Sequence, residues 1–398
     1  MFDKVITKKN EVEKIFGRYV EDIFPSKEKA IELLTSGKKL TFYLGIDPTG
    51  PDIHLGNATN LLVLRTIMNL GHRVILLIGD FTAQTGDPTD KAATRKVLSR
   101  DQIRNNMETY LKQVGRVLKR NAFETSYNSK WLGKMTFDQL RLVFRQFTIQ
   151  QLIARDMFKK RISEQKPITI EEFIYPLMQG YDSVAMNVDG EIGGTDQTFN
   201  MMIGRDLVLA MLKKEKIVIT TKLLEDPITG RKIMNKSEGQ YISLNDSPRD
   251  MFGKVMAMPD RTILPLFNLT TMVADEKIHD VKQKLGRGEN PKDVKIELAY
   301  ELVTMYHSPK EAERAMIEFE RVFSKKELPD DIKVFSPTAH DIISVLIDSG
   351  MVHSKSEARH LIDQNGVEIN GEKIRQWDQL MKSGDVIKIG PRRFLKIR

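Results

Sequence analysis

The sequence predicts an α/β protein with a doubly wound parallel sheet, followed by a helical domain and a small α+β domain. In residues 1–240, short apolar runs alternate with helix-like segments. Residues 241–325 are highly charged and helix-like throughout. Residues 338–398 combine two short helical patterns with Asn370-Gly371, a strong hairpin signal. Residues 326–337 contain two prolines and few apolar residues, which predicts a linker.

The beginning of the α/β region has the order strand, loop, helix and strand. Leu40–Ile46 is an apolar run suited to a buried parallel strand, and residues 47–51 (DPTGP) end it because proline and glycine interrupt strand pairing. A helical pattern follows from about His54 to Leu70, and Arg73–Gly79 forms a second buried strand. This order opens a Rossmann-like nucleotide-binding fold.

The middle of this region is predicted to be mainly helical. Residues 91–190 lack clear strand patterns, so we expect a helical insertion at about 120–190 between the two halves of the sheet. Ile217–Lys222 and Tyr241–Leu244 are the next strand-like runs.

Composition narrows the functional classes. The absence of cysteine excludes disulfides, a thiolate nucleophile and sulfur-ligated zinc, and the seven scattered histidines predict no metal site. The N-terminus is polar, and no apolar run approaches the roughly 18 residues of a membrane span, so we expect no membrane association and a cytoplasmic protein. The excess of 62 Lys and Arg over 54 Asp and Glu fits a polyanionic partner without requiring one.

The first motif with chemical content lies where the predicted helix begins. His54, Gly56 and Asn57 follow a strand and a turn. A helix N-terminus offers unpaired N–H groups that suit a phosphate, and Gly56 allows a base or ribose to approach the backbone. His54 and Asn57 share a face and can donate to phosphate oxygens. A solvated helix start is the alternative interpretation.

The second motif is the basic loop at residues 229–240 (TGRKIMNKSEGQ). Its lysines, Lys232 and Lys236, and Ser237 can close over a triphosphate and stabilise the charge that develops on pyrophosphate. In isolation this stretch also fits an ordinary surface loop. The presence of both motifs in this order favours nucleotide chemistry.

Together these motifs resemble the signatures of class I aminoacyl-tRNA synthetases. His54–Asn57 (HLGN) resembles the HIGH motif, and Lys232–Ser237 (KIMNKS) resembles the KMSKS loop. Three motifs between them resemble those of the tyrosyl-tRNA synthetases: Gly86-Asp87-Pro88-Thr89, Tyr175–Asp182 (YPLMQGYD) and Gly193–Gln197 (GGTDQ). Residues 338–398 resemble the S4 RNA-binding fold that ends the bacterial enzymes. The resemblance covers nearly the whole chain.

The chain departs from the family pattern at two positions. Asn57 stands where HIGH has its second histidine, and HLGN is also usual in tryptophanyl enzymes. An amide still donates a hydrogen bond, so ATP binding is expected to survive. In the basic loop, Asn235 replaces a serine and one extra residue separates the two lysines, which implies a changed closing geometry.

The resemblance implies activation of L-tyrosine with ATP and Mg²⁺, followed by transfer to tRNA(Tyr). Selection of tyrosine over phenylalanine requires buried groups that bind the phenolic hydroxyl, a principle for which tyrosyl-tRNA synthetases are themselves the standard example. Tyr43 and Asp182 match this task. The tyrosine-binding residues implied are Tyr43, Asp87, Tyr175, Gln179, Asp182 and Gln197. Asp87, Tyr175 and Gln179 would bind the α-ammonium group, and Gln197 the carboxylate.

The same resemblance implies the nucleotide site. Its ATP-binding residues are Gly45, Asp47, Thr49, His54, Gly56, Asn57, Gly194, Asp196 and Lys236. Asp196 would bind the ribose, with Gly194 allowing close approach. The substrate carboxylate itself attacks the α-phosphate, so catalysis consists of positioning and charge stabilisation. The catalytic residues implied are Thr49, His54, Asn57, Lys232, Lys236 and Ser237.

The resemblance also implies a homodimer, with its interface at about residues 130–165, and a helical domain that approaches the anticodon. Basic residues of the tail can contact phosphates: Lys355, Arg359, Lys373, Arg375, Arg392 and Arg393. Two alternatives stay open, a tryptophanyl enzyme and a synthetase-like protein that binds RNA without catalysis. Tyr181-Asp182, GGTDQ and the tail favour tyrosine, and the presence of Lys236 and Asp196 favours catalysis.

Overall fold

The computed structural model describes residues 4–87, 98–118, 122–235, 239, 241–324, 332–390 and 393–398. The first domain is built on a sheet of β1 (Val20–Phe24), β2 (Thr41–Ile46), β3 (Arg73–Ile78), β4 (Glu124–Tyr127), β5 (Gly190–Gly194) and β6 (Ile217–Thr221). The strand order is β1-β6-β5-β2-β3-β4, with β2 to β6 parallel and β1 antiparallel to β6. The chain moves outward from β2 to β4 and then outward from β5 to β6. The predicted doubly wound sheet is confirmed, and its switch point lies between β2 and β5.

Eleven helices surround this sheet in the described part of the domain. They are α1 (Lys9–Glu13), α2 (Lys27–Thr35), α3 (Leu55–Asn69), α4 (Thr82–Thr85), α5 (Arg100–Val117), α6 (Ser129–Leu132), α7 (Phe137–Phe144), α8 (Ile149–Ile153), α9 (Asp156–Ser163), α10 (Ile170–Ala185) and α11 (Thr198–Leu212). The helix expected from His54 to Leu70 is α3, and its Leu55, Leu61 and Ile67 are fully buried. Residues 61–64 are also buried, so α3 is covered on all sides, packing on the sheet and on the helical domain that follows.

The helical domain follows as predicted. It contains α12 (Pro248–Met256), α13 (Ile263–Thr270), α14 (Asp275–Gly286), α15 (Pro291–Tyr306) and α16 (Pro309–Phe319). Three of these helices begin with proline after a capping side chain, since Ser247, Asn290 and Ser308 each accept a bond from a backbone N–H of the first turn. One apolar core spans this domain and the sheet domain. None of the described helices is both long and apolar enough to span a bilayer.

The C-terminal domain has a separate apolar core. Its elements are β7 (Lys333–Phe335), α17 (Ile342–Asp348), α18 (Lys355–Asp363), β8 (Val367–Ile369), β9 (Glu372–Lys373), β10 (Val386–Ile389) and β11 (Arg393–Ile397), with sheet order β7-β11-β10-β8-β9. The predicted hairpin joins β8 and β9. Asn370 and Gly371 have φ angles of 53° and 88°, and two successive positive φ values are typical of a type I′ turn.

Three expectations differ from the structure. β4 lies inside the expected insertion at 120–190 and pairs with β3. It was not predicted because its sequence, ETSY, is short and polar and lacks a strand-like apolar pattern. Tyr241–Leu244 forms no strand; Ser243 makes one isolated bridge to His54. The expected linker 326–337 contains β7, which pairs with β11, whereas residues 325–331 lie outside the described residues.

The contact between β2 and β5 predicts the effect of one glycine substitution. Gly190 lies opposite Phe42, and a Cβ at this position would sit 2.2 Å from a carbon of the Phe42 ring. We expect Gly190→Ala to lower the free energy of unfolding by about 1–3 kcal/mol, as is usual for overpacked cores. Urea unfolding midpoints measure this change.

Gly115→Ala is the matched control. Gly115 lies in α5, and its added Cβ would meet no atom within 4 Å. The free energy of unfolding should therefore rise by about 0.5–1 kcal/mol, because alanine favours helix more than glycine does. Equal midpoints for both variants would show that the close packing of Phe42 on Gly190 does not constrain the fold.

Candidate active site

The predicted site residues converge where β2 and β5 end. Ligands of doubly wound sheets bind at this switch point, outside the carboxyl ends of the strands. Gly45 is exposed near the end of β2, and the backbone N–H of Thr49 donates to the carbonyl of Asp47 at 2.8 Å, which turns the chain towards α3. The residues predicted to bind tyrosine and those predicted to bind ATP therefore lie at one edge of the sheet, and we call this edge the crevice.

Asp47 is fixed by side chains from two neighbouring elements. Thr82 Oγ1 donates to Asp47 Oδ1 at 2.7 Å, and the Tyr175 hydroxyl donates to Asp47 Oδ2 at 2.8 Å. A Cβ on Gly79 would lie 1.8 Å from Asp47 Oδ1, so only glycine leaves space for this carboxylate. Burial, followed by the charge of Asp47, raises the pKa of Tyr175 well above its usual value. Tyr175 is consequently a neutral hydrogen-bond donor.

Tyr43 and Asp182 lie in the interior near the centre of the site. Tyr43 is 0% exposed, and its hydroxyl is 2.9 Å from Ser183 Oγ. Asp182 is 2% exposed and accepts hydrogen bonds from Trp131 Nε1 at 2.7 Å and Asn128 Nδ2 at 3.3 Å. Burial raises the pKa of Asp182 well above its usual value, although both donors oppose the rise. The charge of Asp182 in turn contributes to the raised pKa of Tyr43, after burial and Glu191.

Five further polar residues form a network at the site. Gln197 Nε2 donates to Asp87 at 2.6 Å, and Asn200 Nδ2 donates to Gln197 Oε1 at 3.0 Å and to Gln179 Oε1 at 2.9 Å. The guanidinium of Arg155 lies 3.7 Å from the Asp87 carboxylate and is buried. The structure therefore joins Asp87, Gln179 and Gln197, three residues that the sequence assigned to the same substrate.

The start of α3 holds the first nucleotide motif. His54 is the N-cap residue, and its backbone N–H lies 3.4 Å from Asn57 Oδ1. The amide group of Asn57 thus turns its oxygen inward. A Cβ on Gly56 would lie 3.1 Å from two atoms of the His54 ring, so Gly56 provides space for the imidazole as well as for a ligand.

The second nucleotide motif reaches the end of β5. Lys232 Nζ lies 2.7 Å from Asp196 Oδ2, and both side chains are partly exposed. A Cβ on Gly194 would lie 2.6 Å from Asp196 Oδ1, so this glycine accommodates the aspartate carboxylate. Lys236 and Ser237 lie outside the described residues. Among the described residues of the loop, Lys232 is the lysine that reaches the predicted ribose site.

Sequence reasoning missed several contributors to this site: Asn128, Trp131, Arg155, Ser183 and Asn200. Asn200 follows GGTDQ by three residues, and Ser183 adjoins Asp182, so both lay next to a recognised motif. Asn128, Trp131 and Arg155 come from the helical segments, where nothing in one sequence distinguishes them from surface residues.

This crevice combines buried hydroxyl and carboxylate groups with a helix N-terminus and a basic loop, which is the chemistry of an amino-acid and nucleotide site. Residues 35–324 match the family model of the class I tRNA synthetases for tryptophan and tyrosine. The chain is therefore a class I tRNA synthetase. Residues 318–394 match the C-terminal domain model of the tyrosine–tRNA ligases.

Full-length relatives resolve the choice between the two amino acids. The chain is 41% identical over 390 residues to tyrosine–tRNA ligase 2 of Clostridium acetobutylicum, covering 96% of this chain and 97% of the relative. It is 43% identical over 397 residues to tyrosine–tRNA ligase of Carboxydothermus hydrogenoformans, covering 96% of each. The chain belongs to the tyrosine–tRNA ligase family, which uses ATP as a substrate.

Solved structures agree at the level of the fold. Tyrosyl-tRNA synthetase from Archaeoglobus fulgidus, complexed with L-tyrosine, superposes with a TM-score of 0.60 at 20% identity, over 78% of this chain and 99% of that one. Tryptophanyl-tRNA synthetase from Plasmodium falciparum gives a TM-score of 0.58 at 15% identity, over 79% of this chain and 90% of that one. Both amino-acid specificities therefore share this fold.

The buried carboxyl of Asp182 predicts a pH-dependent stability difference. Its raised pKa means that the folded state disfavours the ionised form. Wild-type stability is therefore highest below the unfolded pKa, near 3.9, and falls as the pH rises towards the folded pKa. Asp182→Asn removes this loss, so we expect the free energy of unfolding of the variant to rise relative to that of wild type as the pH increases from 4 to 8.

Urea unfolding of both proteins across this pH range measures the difference. Asp348→Asn, which removes a carboxylate at an exposed position, is the matched control. If Asp182→Asn loses stability relative to wild type as the pH rises, the direction of the pKa shift is wrong.

Proposed function

We propose that this chain activates L-tyrosine with ATP, forming tyrosyl-adenylate and pyrophosphate, and then transfers tyrosine to the 3′ end of tRNA(Tyr). The observation that carries the proposal is the buried pair of Tyr43 and Asp182 at the switch point of the sheet. A phenolic hydroxyl placed there meets a hydroxyl and a carboxylate. Phenylalanine would leave the Tyr43 hydroxyl and the Asp182 carboxylate each one hydrogen bond short in a buried site, which is how a polar pocket rejects the smaller analogue.

The remaining groups of tyrosine have matching partners in the polar network. Asp87 and Gln179 present oxygens for the α-ammonium group, and Gln197 joins them through its bond to Asp87. Tyr175 contributes indirectly, because its hydroxyl already donates to Asp47 at 2.8 Å. Arg155 balances the charge of Asp87 and is a positioning residue for the ammonium pocket.

ATP binds as its Mg²⁺ complex, with Mg²⁺ carried by the phosphates because this ion is usually held through substrate phosphates and water. The N-terminus of α3, with His54 and Asn57, faces the phosphates, and Asp196 binds the ribose. The tyrosine carboxylate attacks the α-phosphorus and forms a new P–O bond. The bond between the α-phosphorus and the oxygen that bridges to the β-phosphate breaks, and pyrophosphate leaves. Once ribose hydroxyls occupy Asp196, Lys232 can move from its ion pair to the leaving phosphates.

The C-terminal domain provides affinity for tRNA. Arg359 stacks on Trp377 with the guanidinium carbon 5.1 Å from the ring centre, and this exposed pair suits an unstacked base or a phosphate. Other basic residues for phosphate contacts are Lys355, Lys373, Arg375 and Arg393; Arg392 lies outside the described residues. Because the reaction requires ATP and tRNA, we place the protein in the cytoplasm.

The chain acts as a homodimer in this proposal. Large apolar side chains are exposed along one stretch that overlaps the expected interface at 130–165. They are Phe137 at 78%, Leu142 at 44%, Ile149 at 69%, Ile162 at 48% and Ile170 at 76%. Exposed apolar groups that concentrate in one segment are typical of a protein–protein interface.

Pyrophosphate exchange into ATP tests the activation step with tyrosine, phenylalanine and tryptophan supplied separately. We expect exchange with tyrosine alone. Tyr43→Phe removes one hydroxyl, so kcat/KM for tyrosine should fall by about tenfold, and kcat/KM for phenylalanine should rise because one buried polar group no longer lacks a hydrogen bond. Exchange with tryptophan would overturn the proposed pocket, and no exchange from folded protein would leave only the RNA-binding interpretation.

Light scattering tests the dimer. Ile149→Glu and Phe137→Glu place charges on the exposed apolar segment and should shift the mass from dimer to monomer, since burying an unpaired charge is costly. Ile317→Glu, at a side chain 55% exposed on α16, is the matched control and should remain dimeric. If both variants remain dimeric, the dimer interface lies elsewhere on the protein.

A further inference from the structure

A fully buried lysine lies behind the hydroxyl of Tyr43. Lys216, just before β6, is 0% exposed. Its ammonium group donates to the carboxylate of Glu191, to Ser183 Oγ at 2.8 Å and to the carbonyl of Met201 at 3.2 Å. These three bonds use all three donors of the ammonium. A buried ion pair is weak evidence for stability, so its position suggests another role.

The fold makes room for this ammonium between two helices. A Cβ on Gly204 of α11 would lie 2.6 Å from Lys216 Nζ and 2.9 Å from Ser183 Oγ. A Cβ on Gly180 of α10 would lie 3.1 Å from the backbone nitrogen of Gly204. Two glycines at the α10–α11 contact therefore let the helices approach and leave a space that the lysine head group fills.

The sheet places a carboxylate beside Tyr43. Glu191 on β5 is 2% exposed and lies in register with Tyr43 on β2. An unpaired carboxylate there would accept the proton of the Tyr43 hydroxyl, which would then face the substrate only as an acceptor. Together with burial, Glu191 raises the pKa of Tyr43 through its charge and through a hydrogen bond with the hydroxyl, and the ion pair with Lys216 gives this carboxylate a stronger partner than the phenol.

Lys216 also determines the direction of the Ser183–Tyr43 hydrogen bond. The oxygens are 2.9 Å apart, and either hydroxyl could donate. An ammonium can only donate, so Ser183 Oγ accepts from Lys216, and a hydroxyl that accepts from a cation is a stronger donor. The hydrogen bonds described for Ser183 Oγ are those with Lys216 and Tyr43, and Lys216 cannot accept, so the Ser183 proton goes to the Tyr43 oxygen. The Tyr43 proton can then turn from Glu191 to the substrate.

We propose that Lys216, acting through Ser183, orients the Tyr43 hydroxyl as a donor to the phenolic oxygen of tyrosine and so strengthens the preference for tyrosine over phenylalanine. The hydrogen bonds run in one direction, from the Lys216 cation through Ser183 and Tyr43 to the substrate, whose own proton goes to Asp182. Lys216 and Ser183 are positioning residues. The inference rests on the proposed roles of Tyr43 and Asp182.

Ser183→Ala tests the link with the loss of one oxygen atom. In pyrophosphate exchange, we expect kcat/KM for tyrosine to fall by about tenfold, mainly through a higher KM, as for the loss of one buried hydrogen bond. The value for phenylalanine should change by less than about twofold, because phenylalanine has no oxygen for Tyr43 to bind. Discrimination therefore falls, whereas a merely structural role would lower both values equally.

A charge-neutral pair of substitutions tests Lys216. Lys216→Met combined with Glu191→Gln removes both charges, because Lys216→Met alone would leave a buried carboxylate unpaired. The double variant should lose as much discrimination as Ser183→Ala, and the triple variant should lose no more, since the effect passes through Ser183. Lys214→Met is the matched control, because Lys214 pairs with Asp189 at 2.8 Å. Its discrimination should equal that of wild type.

Two results would overturn the inference: unchanged discrimination in Ser183→Ala, or equal losses for both amino acids in the variants. Additive losses in the triple variant would reject the route through Ser183. If wild type itself exchanges tyrosine and phenylalanine equally well, the proposed roles of Tyr43 and Asp182 fail first. Wild-type behaviour thus separates the two failures.

Discussion

The register between β2 and β5 is the constraint on which the rest of the structure depends. It sets Phe42 against Gly190 and Tyr43 against Glu191. Because side chains alternate along a strand, a slip of one residue would turn Tyr43 to the opposite face of the sheet. Phe42 occupies the space that Gly190 leaves, and this packing fixes the alignment. The proposed tyrosine pocket therefore depends on a contact between the Phe42 ring and Gly190.

The same crevice concentrates buried polar groups that an apolar core would exclude. Tyr43, Asp182 and Lys216 are all almost fully buried, and burial opposes the ionised form of each. Every one of them is held by hydrogen bonds from helices α10 and α11 or from the segment around Trp131. Burying such groups costs stability, and in the proposed function it provides fixed donors and acceptors for the phenolic hydroxyl.

Much of the fold could be predicted from the sequence because its signals are local. The runs at β2 and β3 are apolar and end at proline or glycine, and Asn370-Gly371 requires two residues with positive φ. β4 and β7 could not be found in this way. Both are short and half-exposed, and their pairing with β3 and β11 is set by distant parts of the chain.

The residues of the proposed site likewise differ in whether the sequence alone could point to them. Residues within a contiguous motif, such as Asp47, Tyr175 and Asp196, could be proposed as site residues from the sequence. Lys216 could not, because its chemistry arises only where α10, α11 and β5 meet, and one sequence does not reveal that a lysine in a connecting segment is buried. Long-range contacts, rather than residue type, create this part of the site.

The two apolar cores have a consequence for how such a chain can change over evolutionary time. The C-terminal domain packs around Ile342, Val367 and Leu395, none of which belongs to the core shared by the sheet and helical domains. Substitutions that remodel the tail therefore leave the packing of Tyr43 and Phe42 untouched. In the proposed function, tRNA binding by the tail and selection of the amino acid by the crevice therefore depend on separate cores, so either can change in evolution without repacking the other.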